Sequence, residues 1–186
     1  ASIFVVFRDA PAPQVAASGL VGEIPVWKKP SGPWQVEFQP NSGAPQQLTF
    51  PELISWPEHS DPGVRNYSGT AAYAQEFDLP PMPAGKVILD LGNVAAVASV
   101  SLNGQDLGAL WKAPFAVDVT KELRPGKNRI VVKVANVWTN RLIADAGLPE
   151  SERISWATFN PYKPSDRLLS SGLLGPVQLR KSEVSK

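Results

Sequence analysis

KVILDLGNVAAVASVSLNGQDLGALWKAPFAVDVTKELRPGKNRIVVKVANVW, residues 86–138, carries an apolar period of two through almost its whole length. Val87, Leu89 and Leu91 share a face, as do Ala98, Val100 and Leu102, then Phe115, Val117 and Val119, and then Ile130, Val132 and Val134. Lys86, Asp90, Ser99, Ser101, Asp118, Arg129 and Lys133 occupy the opposite faces. A pleated strand sends alternate side chains to opposite sides, so each run has one core face and one wet face. Asn103-Gly104 stands between two of the runs, and this pair tolerates positive φ at both central positions of a type I′ hairpin. Arg124-Pro125-Gly126-Lys127-Asn128 supplies a second tight turn, with proline presetting φ and glycine allowing the reversal. The pattern predicts an antiparallel meander inside an all-β fold.

Composition bounds the rest. The 186 residues suit one β domain with long loops, since sandwiches commonly run to this length. Hydrophobic residues make up 43% and charged ones 19%, enough for a core of ordinary size. A net charge of +1 gives no general attraction to nucleic acid or anionic membrane, so neither is an expected partner. No apolar run is long enough to span a bilayer as a helix. Nineteen prolines and fourteen glycines favour turns over long helices. The absence of cysteine excludes disulfides, thiol catalysis and thiolate metal sites together, and by itself leaves the compartment open. The amino terminus reads as no signal peptide, so either one was removed or the chain belongs to a larger one.

Ser2-Ile3-Phe4-Val5-Val6-Phe7 is a continuous apolar strand, and Asp9-Ala10-Pro11-Ala12-Pro13 after it is a stiff linker type. Residues 1–13 are then either the last strand of a preceding domain with its linker, or an edge strand of this sandwich. Residues 14–181 form the sandwich and 182–186 a polar tail. Trp34-Gln35-Val36-Glu37-Phe38 alternates and predicts the first main strand, with Trp34 and Phe38 inward. Thr70–Leu79 predicts another, with Tyr73 and Phe77 inward, and Gly175–Arg180 predicts the closing strand. Between them lie two long connections, residues 48–69 and 139–175. Pro51, Pro57 and Pro62 limit any helix in the first to about a turn. Connections of this length are usually functional or disordered, and Trp56, Trp138, Trp156, Phe159, Tyr162 and Leu173-Leu174 are not the residues of a disordered one.

Four strings carry a resemblance: SGTAAYAQEFDLP, LDLGNVAAVASVSLNGQDLGALWKAPFAVDVT, LRPGKNRIVVKVANVWTNRLIAD and SGLLGPVQL. Together, over residues 34–180, they resemble the sugar-binding jelly-roll domain of family 2 glycoside hydrolases. They are most similar to its form at the carboxyl end of bacterial family 106 α-L-rhamnosidases. The resemblance implies an antiparallel β-sandwich (jelly roll, galactose-binding-like) with two long ordered loops. It also implies an accessory to a catalytic domain, without catalytic carboxylates of its own, in an extracellular or periplasmic bacterial enzyme. One position departs from the family pattern: Gly175 stands before Pro176 where an arginine is common.

A saccharide offers an apolar face of C–H groups and a rim of hydroxyls. A binder therefore needs an exposed aromatic plane beside amide, carboxylate or guanidinium groups. Trp56, Trp111, Trp138, Trp156 and Tyr162 are the candidate planes, and Glu58, His59, Asp61, Arg65, Asn140, Arg141 and Asp145 the candidate rim. The competing reading for each tryptophan is burial beneath the loops, favoured for Trp138 because it continues the inward face of its strand. Trp111 can instead staple the Lys112-Ala113-Pro114 turn. His59, the single histidine, reads first as a loop residue bonded to backbone, and Arg141 as half of an ion pair with Asp145 or Asp61.

Enzyme chemistry lacks support. No Gly-x-Ser-x-Gly elbow occurs, zinc would need more imidazole or thiolate, and neither Glu58 with Asp61 nor Asp145 with Glu150 has spacing that singles it out as a hydrolytic pair. A structural oxygen-ligated calcium suits sandwiches of this kind, but no ligand-dense acidic loop assigns residues to it, and no cofactor is expected. Two readings remain. In one, the chain is a non-catalytic carbohydrate-binding module of a larger bacterial glycoside hydrolase, taking plant or bacterial polysaccharide through its end loops at Trp56, His59, Trp111, Asn140, Arg141, Trp156 and Tyr162. In the other, it is a structural accessory packed on the catalytic domain of an α-L-rhamnosidase-like enzyme, without sugar binding of its own.

Overall fold

The computed structural model describes residues 24–81 and 85–182. The expected strand at Ser2–Phe7 and its linker lie outside them, as does the tail beyond Ser182. The strands in chain order are β1 (Val26–Lys28), β2 (Trp34–Phe38), β3 (Gln47–Phe50), β4 (Thr70–Leu79), β5 (Val87–Asp90), β6 (Asn93–Ala95), β7 (Val97–Leu102), β8 (Gln105–Leu110), β9 (Ala116–Asp118), β10 (Gly126–Ala135), β11 (Gly172–Gly175) and β12 (Gln178–Lys181). Two short helices, α1 (Pro62–Arg65) and α2 (Thr139–Asp145), sit in the long connections.

The ladders are antiparallel and build a six-stranded sheet β3-β2-β4-β10-β7-β8, a four-stranded sheet β1-β12-β5-β9 and a ribbon β11-β6. The all-β sandwich expected from the period of two is what forms. Its alternation is clearest in β2, where Trp34, Val36 and Phe38 are buried and Gln35 and Glu37 are exposed. β4 turns Ala71, Tyr73, Gln75, Phe77 and Leu79 inward. One core joins both sheets: Val36, Tyr73, Val100 and Val132 from the larger meet Val87, Leu89 and Leu179 from the smaller. Hydrophobic burial of this kind is the main driving term for the fold.

The Asn103-Gly104 hairpin forms as read, with φ of 53° and 86° at the two central residues and Leu102 opposite Gln105. The meander does not. β5 and β9 belong to the four-stranded sheet, while β7, β8 and β10 belong to the six-stranded one. The chain therefore crosses between layers three times within residues 86–138, from β5 to β7, from β8 to β9 and from β9 to β10. Periodicity reports which face of a strand is buried, and that face is the same whichever layer the strand joins, so pairing partners were not readable from it. The Arg124–Asn128 turn accordingly joins no paired neighbours. It is closed by the buried Asn128 side chain, which donates to the carbonyls of Arg124 and Gly126 and accepts from Arg124 N–H. Asn103 Nδ2 donates to the same Asn128 side chain, tying the turn to the hairpin.

At one end of the sandwich the two long connections meet. Trp56 N–H donates to the Ser171 carbonyl, and Ser171 N–H donates to Ser55 Oγ. Trp56 Nε1 and Leu173 N–H both donate to the hydroxyl of Tyr73 on β4. Burial, opposed by those two bonds, pushes the Tyr73 phenol well above its ordinary range, so it stays neutral. Gly172 (φ +97°) runs against this cluster: a Cβ there would lie 2.7 Å from both Trp56 Nε1 and Tyr73 Oη, so no other residue fits.

Tyr73→Phe should therefore destabilise the chain by about 1–3 kcal/mol, because it strands two buried donors while removing little volume. Urea unfolding checks this; an unchanged midpoint would mean the hydroxyl holds nothing. Gly172→Ala should cost more than Tyr73→Phe in the same assay.

Candidate functional site

The second connection begins where β10 ends, at Ala135, and the long ordered loop expected there contains helix. α2 occupies Thr139–Asp145 and a 3-10 turn occupies Glu150–Glu152. The buried Asn140 is its main fastener. Its Nδ2 donates to the Leu169 carbonyl (2.8 Å) and to Ser171 Oγ (3.1 Å), and its Oδ1 accepts from Leu169 N–H (2.8 Å). Asn140 thus clamps the returning chain onto α2 and has no free amide group for a ligand, so its expected place on a sugar rim is not borne out.

Arg141 is buried as well, and its partner is Asp145 one turn on, at 2.8 Å. The other carboxylate oxygen of Asp145 accepts from Ser155 N–H (2.7 Å) and Ser155 Oγ (2.5 Å). Arg141 Nε and Asp145 Oδ1 have no hydrogen-bond partner, so the pair is held by charge and not by aligned N–H donors. A little further along, Asn160 Nδ2 donates to the Leu142 carbonyl (2.8 Å) and Asn160 Oδ1 accepts from Tyr162 N–H (3.0 Å). The half-buried Tyr162 places its hydroxyl 3.3 Å from Thr139 Oγ1.

Ser155 and Asn160 are therefore both fixed to α2, and Trp156 (84% exposed) and Phe159 (78%) project from the span between them. Beside Trp156 lies a cleft of about 270 Å³ lined by Asp145, Glu150, Arg153 and Asn160 among others. Ile154 separates it from a second hollow of about 380 Å³, bounded by Trp138, Arg141, Ser68 and the 39–42 turn. Ile154 packs against Gly43, where a Cβ would come within 2.5 Å of its Cδ1.

Trp138 is 57% exposed, against the expectation of burial: β10 stops before it, so the strand's alternation no longer governs it. The other aromatic candidates scatter. Trp56 is fully buried, edge-on to Phe38 and Tyr67, so it presents no face to a ligand; its indole N–H is used by Tyr73. His59 stacks on Phe50 (centroids 5.2 Å apart) and its Nδ1 accepts from Asp61 N–H, and it lines neither cleft around Ile154. Asp61 caps α1, accepting from Gly63 and Val64 N–H, and so forms no reactive pair with Glu58. Trp111 is 66% exposed just past β8, under the ammonium of Lys112, and lines neither cleft. Of the seven residues chosen from sequence, Trp156 lines one cleft and Arg141 the other, and Tyr162 braces the span between them. Missed were Arg153 and Asn160, ordinary polar loop residues that no local pattern singles out, and Glu150 was weighed only as a hydrolytic partner of Asp145. Among the described residues, no three His, Cys, Asp or Glu side chains gather where they could hold a metal.

Asp145→Ala should destabilise the chain by about 3–5 kcal/mol, since it leaves the Arg141 charge buried without its partner. It should also release Ser155, read as faster proteolysis between Ala144 and Ser155; cleavage at the parental rate would show that the carboxylate is not the fastener.

The family model "Glycosyl hydrolases family 2, sugar binding domain" matches residues 32–181. A putative beta-glucuronidase of Formosa agariphila is 38% identical over 175 residues, covering 80% of this chain and 15% of that protein. The structure of a rhamnosidase from Novosphingobium sp. PP1Y superposes with a TM-score of 0.78 at 35% identity, covering 92% of this chain and 16% of that one. A Ruminococcus gnavus beta-glucuronidase superposes with a TM-score of 0.51 at 26% identity over 59% of this chain and 20% of its own. The chain spans about a sixth of the length of these relatives or little more. Sandwich, hairpin and matched residues agree, and the chain belongs to the sugar-binding domain family of the family 2 glycosyl hydrolases.

Proposed function

We propose that this chain is a non-catalytic carbohydrate-binding domain of a larger bacterial glycoside hydrolase, acting outside the cytoplasm on plant or bacterial polysaccharide. Saccharide is taken at the cleft beside Trp156. The observation that carries this reading is an indole 84% exposed yet mounted on a span tied down at both ends. Exposed tryptophan is costly in a soluble surface unless something covers it, and a pyranose C–H face is a suitable cover. Glu150, Arg153 and Asn160 around the cleft are carboxylate, guanidinium and amide, the groups that bond a hydroxyl rim. Because the span is already ordered, little entropy is lost when a ligand docks. The relatives described as a rhamnosidase and a beta-glucuronidase support a glycosidase as the parent.

A second reading has its own support. Val137, Trp138, Ile154, Phe159 and Leu169 are exposed apolar residues in the same connection as Trp156, more than one sugar ring would cover. That surplus suits contact with a catalytic domain, which chains covering 15–16% of their relatives would have as a neighbour.

Affinity electrophoresis of the isolated chain in gels containing plant and bacterial polysaccharides, followed by calorimetry, separates the two. Retention by a polysaccharide, lost in Trp156→Ala with the melting temperature unchanged, is the expected result. No retention by any glycan, with tight binding to a separately produced catalytic domain, would replace the first reading by the second. Turnover of an aryl glycoside by the pure chain would overturn both.

A further inference from the structure

The outer face of the six-stranded sheet has an unusual cross-section. β4 turns Ala72 and Ala74 to this face, while its neighbours on either side, β2 and β10, turn long polar side chains to it. In register, Glu37 lies opposite Ala72 and Lys133 opposite Ala72 from the other side, and Gln35 and Val131 flank Ala74 in the same way. The result is a trough along β4 with an alanine floor. Its two adjoining hollows, of about 420 and 430 Å³, share Gln35, Ala74 and Arg129. Strands two positions apart in a sheet stand about 10 Å apart, so the walls are separated by roughly the width of a sugar ring.

The chemistry of the two walls differs. On the β2 side stand Gln35, Glu37 and, from β3, Gln47; on the β10 side stand Arg129 and Lys133. Neither cation belongs to any of the three ion pairs among the described residues, although Glu76 is directly opposite Arg129 in the ladder. The walls therefore stay open instead of closing on each other. Glu37 only accepts, while the Gln35 and Gln47 amides also donate (the Gln35 side-chain carbonyl already accepts from Thr49 Oγ1). Arg129 and Lys133 only donate, and the charges of Glu37 and Glu76 balance those of Arg129 and Lys133. The molecule that satisfies both edges at once, without net charge, is a polyol, because every hydroxyl both donates and accepts.

We infer that this trough is a second saccharide-binding surface, separate from the Trp156 cleft, that takes a linear neutral glycan lying along β4. It has no aromatic floor, so contact is made through hydroxyls and through the methyl groups of Ala72, Ala74 and Val131, and affinity is modest. Two surfaces on one small domain would let a polysaccharide be held at one while its end is presented at the other, an avidity effect that needs no further contact.

The test is a ¹H–¹⁵N NMR titration of the whole chain with xylan, laminarin and mannan oligosaccharides, run on the parental sequence and on Trp156→Ala. At least one glycan should shift the amides of Ala72, Ala74 and Val131, and should still do so in Trp156→Ala, which disables only the loop cleft. Ala74→Met, an exposed strand substitution that fills the trough, should abolish these shifts while preserving the rest of the spectrum. Arg129→Ala should weaken binding roughly tenfold, the worth of about one hydrogen bond to a charged group. Raising the salt concentration should change the affinity little, since the ligand is neutral. Shifts confined to residues 150–162, their complete loss in Trp156→Ala, or their survival in Ala74→Met would each overturn the inference. Failure at the loop cleft alone, with sheet shifts intact, would count against the Trp156 reading and not this one.

Discussion

The hydroxyl of Tyr73 is the point on which the rest of the molecule turns. It sits at the centre of the longest ladder, on β4, and accepts hydrogen bonds from Trp56 in the first long connection and Leu173 at the end of the second. A buried hydroxyl that satisfies two buried donors is expensive to lose, because either donor left alone carries its full desolvation penalty. Gly172 allows the backbone to come close enough, and Ser55 and Ser171 add bonds on the same spot. Two segments far apart in sequence are thereby fastened to one end of the sandwich.

Everything distinctive about that end follows from polar fastening. α2 is only two turns long, too short to be stable by itself. It persists because Asn140 and Asp145, which would normally face solvent on such a helix, are turned inward and bonded to the chain that passes over them, with the buried Arg141 paired to Asp145. Polar groups share the inside of this layer with Ile143, while Trp138, Trp156 and Phe159 lie outside, an inversion of the usual arrangement that leaves an aromatic surface on the connection.

The sheet face is shaped by a different device. There, short side chains in the middle strand and long ones in its neighbours carve relief out of a regular ladder, with no special loop at all. The loop surface combines aromatic planes with a polar rim and the sheet surface opposes donors to acceptors, so the two would read different features of a polysaccharide: the stacking face of a ring and the hydroxyl edges of a chain.

Alternation along residues 86–138 was enough to establish an all-β fold, the inward residues of most strands and the Asn103-Gly104 hairpin, because side-chain direction in a strand and positive φ in a tight turn are local properties. The family, too, was legible in strings of strand and turn residues. Short strands such as β1, β6 and β11 were not, since three or four residues are too few to carry a period. Neither was the division of β5, β7, β8, β9 and β10 between two sheets, which depends on long-range pairing that alternation does not encode. The site divided along the same line. That tryptophans in the long connections mattered could be read from composition, but Trp56 and Trp156 look alike in sequence, one followed by proline and the other by alanine. Tertiary structure alone decided that Tyr73 would take the first inward and that Ser155 and Asn160 would hold the second out, because burial of an aromatic ring is settled by what lies across the fold from it and not by its neighbours along the chain.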